Sequence, residues 1–371
     1  MNTFKYTDTL GEINFDDGLR AEWERYRLPY SALIELTAKC NMNCVHCYLQ
    51  AHHAEEELSF EEVTDILDTL YNEGILFLTF TGGEILTRVD FVDIYLYAKH
   101  KGFMVELFTN GLGLSDEIID ILSKYPPILV DISIYGASEE TYRKVTGVSN
   151  AFHRVIENCK KLSQANIRYA LRTPVITLLK DEINEIQKLA SELGVTFSTS
   201  YEISPTVDGN DISQQYQLSA FDVLKQECTD YFEREERSVY APPEPSTGGS
   251  KPIFTCKMGK GALVIDYRGH MFPCMKFRHI AKKISSDNFD SIWKSYDQFY
   301  LLKTKEDNPC NTCDARFYCE ICPAEMDFLF HDYEYRSPQM CKVAKFRKKL
   351  YEGAFQDLFE ALNCLMMESF I

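Results

Sequence analysis

Cys40, Cys44 and Cys47 stand at C-x3-C-x2-C spacing in the run Ala38-Lys39-Cys40-Asn41-Met42-Asn43-Cys44-Val45-His46-Cys47-Tyr48, directly behind an apolar strand-like stretch. The fold must therefore deliver three thiols from one strand end into one loop. Closed zinc sites usually take four protein ligands, and their paired ligands favour C-x2-C spacing. Iron–sulfur clusters are held by cysteine thiolates, and a four-iron cluster on only three of them keeps one iron free for a small molecule.

The chain has 371 residues, of which 45% are hydrophobic, enough for one large domain with appendages. No stretch offers about 18 uninterrupted apolar residues, so no membrane span is expected. Met1-Asn2-Thr3-Phe4-Lys5 lacks a basic start followed by an apolar stretch, so a secretory signal is not expected and the cytoplasm is the expected location. Thirteen cysteines in such a compartment point to metal or cluster ligands rather than disulfides. A formal charge of −17 argues against nucleic acid, which needs a basic face. It permits a basic peptide partner without requiring one.

Strand-like runs at 31–36, 75–79, 103–108, 128–134, 167–175 and 195–201 alternate with helical patterns, which predicts parallel βα units. Phe60, Val63, Ile66, Leu67 and Leu70 recur at helical spacing. Ser115 is positioned to cap a helix reaching Lys124, and Gly194 to stop one running from Asp181 to Leu193. Six such units make an incomplete relative of the eightfold barrel, an α/β fold whose chemistry sits on the loops behind its strands. Cys40–Cys47, Thr81-Gly82-Gly83-Glu84, Thr109-Asn110-Gly111 and Ser133-Ile134-Tyr135-Gly136 follow the first four strands in turn. A helix is expected over 218–237, and the Pro/Gly/Ser-rich run that follows it is the strongest boundary signal. The expected layout is an extension over 1–30, a (β/α)6 core over 31–240, a linker over 241–255, a module with seven cysteines over 256–341, and a C-terminal helix over 342–371.

The triplet and its neighbours resemble the cluster loop of radical S-adenosylmethionine (SAM) enzymes. Thr81-Gly82-Gly83-Glu84 is similar to that family's GGE motif, which holds the SAM amino group. Glycines let backbone approach a ligand, and a carboxylate pairs with an ammonium; alone, the same turn is only a turn. The resemblance implies polar contacts to ribose and adenosine from Asn110 and Ser133, and an aromatic near adenine at Tyr48. The run Asp131–Tyr142 is similar to a segment of peptide-modifying members. Arg172 is either the partner of the SAM carboxylate or one half of an ordinary salt bridge. His46 is not required as a ligand.

Residues 256–341 resemble the family's SPASM module. Cys256, Gly269, Cys274, Cys310, Cys313, Cys319, Cys322 and Cys341 follow its order, although Cys319 and Cys322 are one residue closer than usual. The resemblance implies one auxiliary four-iron cluster on Cys310, Cys313, Cys319 and Cys341. It implies another on Cys256, Cys274 and Cys322, one ligand short, with Cys228, solvent or a substrate thiolate as candidates for the gap. Cys228 shares a helical face with Phe221, Leu224 and Phe232, so core packing competes with ligation. Cys159 and Cys364 read as structural. A zinc module is the alternative for the whole segment.

The resemblance thus implies SAM and three [4Fe-4S] clusters, one of them binding SAM, and an electron donor such as flavodoxin or ferredoxin. In the implied reaction a 5′-deoxyadenosyl radical removes hydrogen from an unactivated carbon of a peptide. The product would be a crosslink or related change in a ribosomally made peptide. Side-chain oxidation in a protein, as by sulfatase maturases, competes with this. Those enzymes usually carry Asp after the second module cysteine, where this chain has Met275. A non-catalytic cluster or zinc scaffold has no use for the GGE motif. With 30 residues ahead of Ser31, no room is expected for a winged-helix leader-binding domain. A separate recognition protein, or the barrel and closing helix, would then grip the peptide. Asp208-Gly209 is similar to a substrate-side loop of related maturases, or is a simple turn.

Overall fold

Six short segments pair in parallel, each reached from the last through helix. The computed structural model describes residues 17–49, 56–207, 212–233, 249–256 and 259–368. Asp208-Gly209 and residues 241–248 of the expected linker lie outside them. The described residues form two compact units, Asn2–Gln217 with Cys256–Asp297 and Leu218–Thr255 with Gln298–Ile371.

The larger unit is built on one sheet. Its strands are β1 (Ser31–Thr37), β2 (Phe77–Gly82), β3 (Met104–Thr109), β4 (Leu129–Ser133), β5 (Tyr169–Pro174), β6 (Phe197–Ser200), β7 (Ala262–Ile265), β8 (His270–Phe272) and β9 (Lys282–Lys283). Their order is β6-β5-β4-β3-β2-β1-β7-β8-β9, with parallel pairing from β6 to β7 and antiparallel pairing beyond. The six expected strands are present as an open, partial barrel. Residues of the cysteine-rich segment add to it, because β7 registers on β1 with Leu33 opposite Val264.

One sheet face is apolar. Ile34, Leu36, Leu78, Phe80, Val105, Leu107, Val130, Ile132 and Leu171 are at most 1% exposed. The alternate positions carry Glu35, Thr79, Glu106, Phe108, Asp131, Ser133 and Arg172. Barrel interiors that serve only as core are filled by branched apolar side chains. A polar inner face marks this one as a place for ligands.

The helices cover the apolar face. Phe60–Asn72 starts with a capping box, Ser59 accepting from Glu62 N–H while the Glu62 carboxylate accepts from Ser59 N–H. It buries Val63, Ile66, Leu67 and Leu70. Ser115 caps Asp116–Lys124 as expected, and Gly194 at φ +71° ends Ile183–Leu193.

In the smaller unit, helix Ala220–Glu233 packs with Pro338–Tyr351 and Leu358–Met367 around Leu224, Cys228, Tyr231, Phe346, Leu350 and Leu365. The single closing helix expected over 342–371 is two helices. Gly353 takes φ +78°, which a continuing helix cannot accommodate, and Asp357 caps a new start.

Candidate active site

The loop of Cys40, Cys44 and Cys47 leaves the C-terminal end of β1 and is tied down by its backbone. At its start, Gly83 N–H donates to Thr37 O (2.7 Å) and Glu84 N–H to Lys39 O (2.8 Å). In its middle, Asn43 N–H donates to Thr146 O (2.8 Å) and Val45 N–H to Val145 O (3.0 Å), both at the end of helix Glu139–Thr146. Terminal helix carbonyls lack partners within their own helix, so the loop satisfies the helix end while the helix end shapes the loop. Glu57 braces the start, accepting from Ala38 N–H (3.0 Å) and the Thr37 hydroxyl and pairing with Lys39 (3.2 Å).

The three thiols lie within electrostatic reach of one another. Burial raises the Cys40 thiol to about 11, pushes Cys44 higher still and raises Cys47. Thiols that ionise so reluctantly alone are stabilised as thiolates by a metal, which takes the proton's place. Among the described residues, no three Cys, His, Asp or Glu side chains converge as ligands of a single ion would. Thiolates serving separate irons of one cluster need not converge so closely.

Gly82 and Gly83 are required where they stand. A Cβ on Gly82 would lie 2.2 Å from Thr37 O, and one on Gly83 2.2 Å from Lys39 O and 2.7 Å from Ala38 O. The sequence suggests a ligand against this bare backbone; the neighbouring loop occupies that side instead. Glu84 is wholly buried. Its Oε1 accepts from the Thr109 hydroxyl (2.7 Å) and Leu86 N–H (3.0 Å), and its Oε2 from Asn110 N–H (2.6 Å). Burial raises its pKa against the pull of these donors. A carboxylate has about four acceptor positions; three are taken here, on a group with no exposed surface.

Asn110 donates to Asn41 Oδ1 (2.7 Å), and its amide nitrogen lies 3.8 Å from Cys40 Sγ. The Ser133 hydroxyl bonds the Tyr135 hydroxyl, which also meets the Cys44 thiol. Arg172 pairs with Asp131 (2.5 Å) on the neighbouring strand and lies 5.0 Å from the Phe108 ring centroid. The Tyr48 hydroxyl donates to Glu35 Oε1 (2.7 Å), and Arg278 also pairs with Glu35. Sequence reasoning passed over Glu35, Glu57, Tyr135 and Arg278. A charged residue inside the apolar stretch Ser31–Leu36 was the signal for Glu35. Only the fold brings Arg278, 243 residues away, to it.

In the smaller unit, Cys310, Cys313, Cys319 and Cys341 lie within electrostatic reach of one another, with Arg316 and Arg336 near Cys310. These are the four grouped by sequence. Cys322 stands at the N-cap position of helix Pro323–Phe330 in this unit, with no side-chain capping bond, whereas Cys256 and Cys274 belong to the larger one. Cys228 and Cys159 are wholly buried among apolar side chains, as core packing requires. Cys364 packs half-buried against the core that holds Cys228.

Residues 34–193 match the model of the radical SAM superfamily, and residues 256–314 match that of the SPASM iron-sulfur cluster-binding domain. The AdoMet-dependent heme synthase of Methanosarcina barkeri is 28% identical over 82% of this chain and 94% of its own length. The mycofactocin maturase of Mycobacterium tuberculosis is 27% identical over 77% of this chain and 75% of its own. Streptococcus suis SuiB bound to precursor peptide SuiA superposes with a TM-score of 0.66 at 17% identity, over 87% of this chain and 78% of that one. No described helix is long and apolar enough to cross a membrane.

Proposed function

Since the chain belongs to the radical SAM superfamily and carries its SPASM iron–sulfur module, we propose that it is a peptide-modifying enzyme that installs a crosslink or related change. The observation that carries the SAM reading is the Cys40–Cys47 loop laid against Gly82-Gly83-Glu84, with three thiols together and the Glu84 charge within reach of Cys40. The donor set fits: three soft thiolates suit an iron–sulfur cluster, and a buried carboxylate suits an amino-acid ammonium. When bound, the cluster and SAM supply one-electron cleavage and a carbon radical able to take hydrogen from an unactivated carbon.

The chain's own groups supply place and shelter. Cys40, Cys44 and Cys47 bind the cluster, Glu84 orients the ammonium, and Asn110, Ser133 and Tyr48 line the adenosine. The helix end at Val145 and Thr146 holds the loop still. Among the described residues, Arg278 pairs with Glu35, Arg172 with Asp131 and Lys276 with Glu202. Such a surface suits a peptide better than a polycarboxylate. The second reading, a haem precursor as substrate, is favoured by the relative named a heme synthase, which is matched over 94% of its length.

Cys310, Cys313, Cys319 and Cys341 hold one auxiliary cluster, and a third cluster completes the set of three that the family resemblance implies. Protein purified without oxygen should then contain about twelve irons per chain. With reductant and SAM it should release 5′-deoxyadenosine, and the C40A/C44A/C47A variant should release none. A mass change in a candidate peptide, with an iron porphyrin left unaltered, supports the peptide reading. The reverse pattern overturns it in favour of the second.

A further inference from the structure

Glu35 has no exposed surface, yet it sits on the inner face of β1 among charges. Its Oε1 accepts from the Tyr48 hydroxyl at 2.7 Å. Arg278 grips both oxygens, with Nη1 3.0 Å from Oε2 and Nη2 2.5 Å from Oε1. The guanidinium lies 5.4 Å from the Tyr48 ring centroid and 5.0 Å from that of Phe272, and Met275 Sδ is 3.6 Å from Nη2.

A buried ion pair is a poor source of stability, because well-packed apolar residues usually serve as well or better. Its value lies in fixing geometry and charge. Here both matter, because Tyr48 directly follows Cys47 in the chain and its hydroxyl is bonded to Glu35. In a medium of low dielectric, an unbalanced charge nearby acts strongly on a redox site.

We propose that Glu35 and Arg278 form a charge-balanced positioning pair for the first thiolate loop, holding the Tyr48 ring in place and leaving no net charge buried next to that loop. The proposal rests on the reading that Cys40, Cys44 and Cys47 carry a cluster. An unpaired Glu35 carboxylate disfavours adding an electron to that cluster; an unpaired Arg278 guanidinium favours it. A merely structural pair would not give opposite signs.

The test is a potentiometric titration of the reconstituted holoenzyme, following the paramagnetic signal that responds to added SAM. R278Q should move the midpoint potential negative, E35Q should move it positive, and E35Q/R278Q should return it towards the parent value. R278K keeps the charge but not the two-pronged grip, so its potential should stay near the parent while its SAM dissociation constant rises several-fold. Y48F, which removes only the hydroxyl tether, should weaken SAM binding in the same way. Shifts of the same sign in both single variants, or none in either, with iron content and circular dichroism intact, overturn the proposal. Should R278Q and E35Q not fold, an R278K potential displaced from the parent value with iron content unchanged also overturns it. Loss of SAM cleavage in the parent enzyme, or a SAM-responsive signal that survives in C40A/C44A/C47A, defeats the cluster reading instead.

Discussion

Gly83 shows how little freedom the first loop allows. The atoms that a Cβ would strike are the backbone oxygens of Lys39 and Ala38, which cannot swing aside as a side chain would. In G83A the two loops must part. A displacement of about 1 Å at a reacting centre costs on the order of 10²-fold in rate, so 5′-deoxyadenosine release should fall at least that far. His46 is a second point of leverage. Burial holds its imidazole neutral, lowering its pKa from 6.5 to about 4, and its Nδ1 has no hydrogen-bond partner. The unfolded chain takes up this proton first, so the stability contributed by neutral His46 is present above pH 6.5 and is lost as pH falls towards 4. Between pH 7 and pH 5 the loss should be about 2 kcal/mol. Urea unfolding at both values checks this, and His46→Gln should remove that part of the slope.

Elements begin and end where backbone bonding dictates. Ile75, Phe103, Ile167 and Val195 read as strand starts by their apolar side chains. Each instead donates its N–H back to the preceding helix, to Leu70 O, Ala98 O, Leu162 O and Ala190 O at 3.0–3.2 Å. The bond closes the helix end, and the apolar side chain packs against it. Strands β2, β3, β5 and β6 therefore start one or two residues later than hydrophobicity suggests. Where a capping side chain gave a local signal, as at Ser115, the helix start was read correctly. Ser59→Ala should remove one side of the capping box on Phe60–Asn72 and cost about 1 kcal/mol, measured as a shift in the denaturation midpoint.

At the scale of the whole molecule, buried charge is spent where segments far apart in sequence must meet. In the smaller unit, Arg347 from the closing segment pairs with Glu227 (2.6 and 2.9 Å) and with Glu320 (2.6 Å), which lies between Cys319 and Cys322. Arg347→Met strands the buried Glu227 carboxylate. It should destabilise this unit by about 3–5 kcal/mol, seen as an earlier unfolding transition. If Arg347 also steadies the cysteine loop, the variant should lose iron together with stability.

The local signals were the ones legible in the sequence. The C-x3-C-x2-C and Gly-Gly-Glu loops and the six βα units depend on spacing over a few to a few tens of residues, whereas the grouping of Cys310, Cys313, Cys319 and Cys341 came from the family resemblance. Short-range sterics and hydrophobic period set such features before any long-range contact forms. The tertiary structure decided what fills the space around them. It spent the bare side of Gly82 and Gly83 on the neighbouring loop, paired Arg172 with Asp131, broke the closing helix at Gly353, and brought Arg278 to Glu35. Each of those outcomes depends on which residue lies across a gap from another, and one-dimensional order carries no record of distances across the fold.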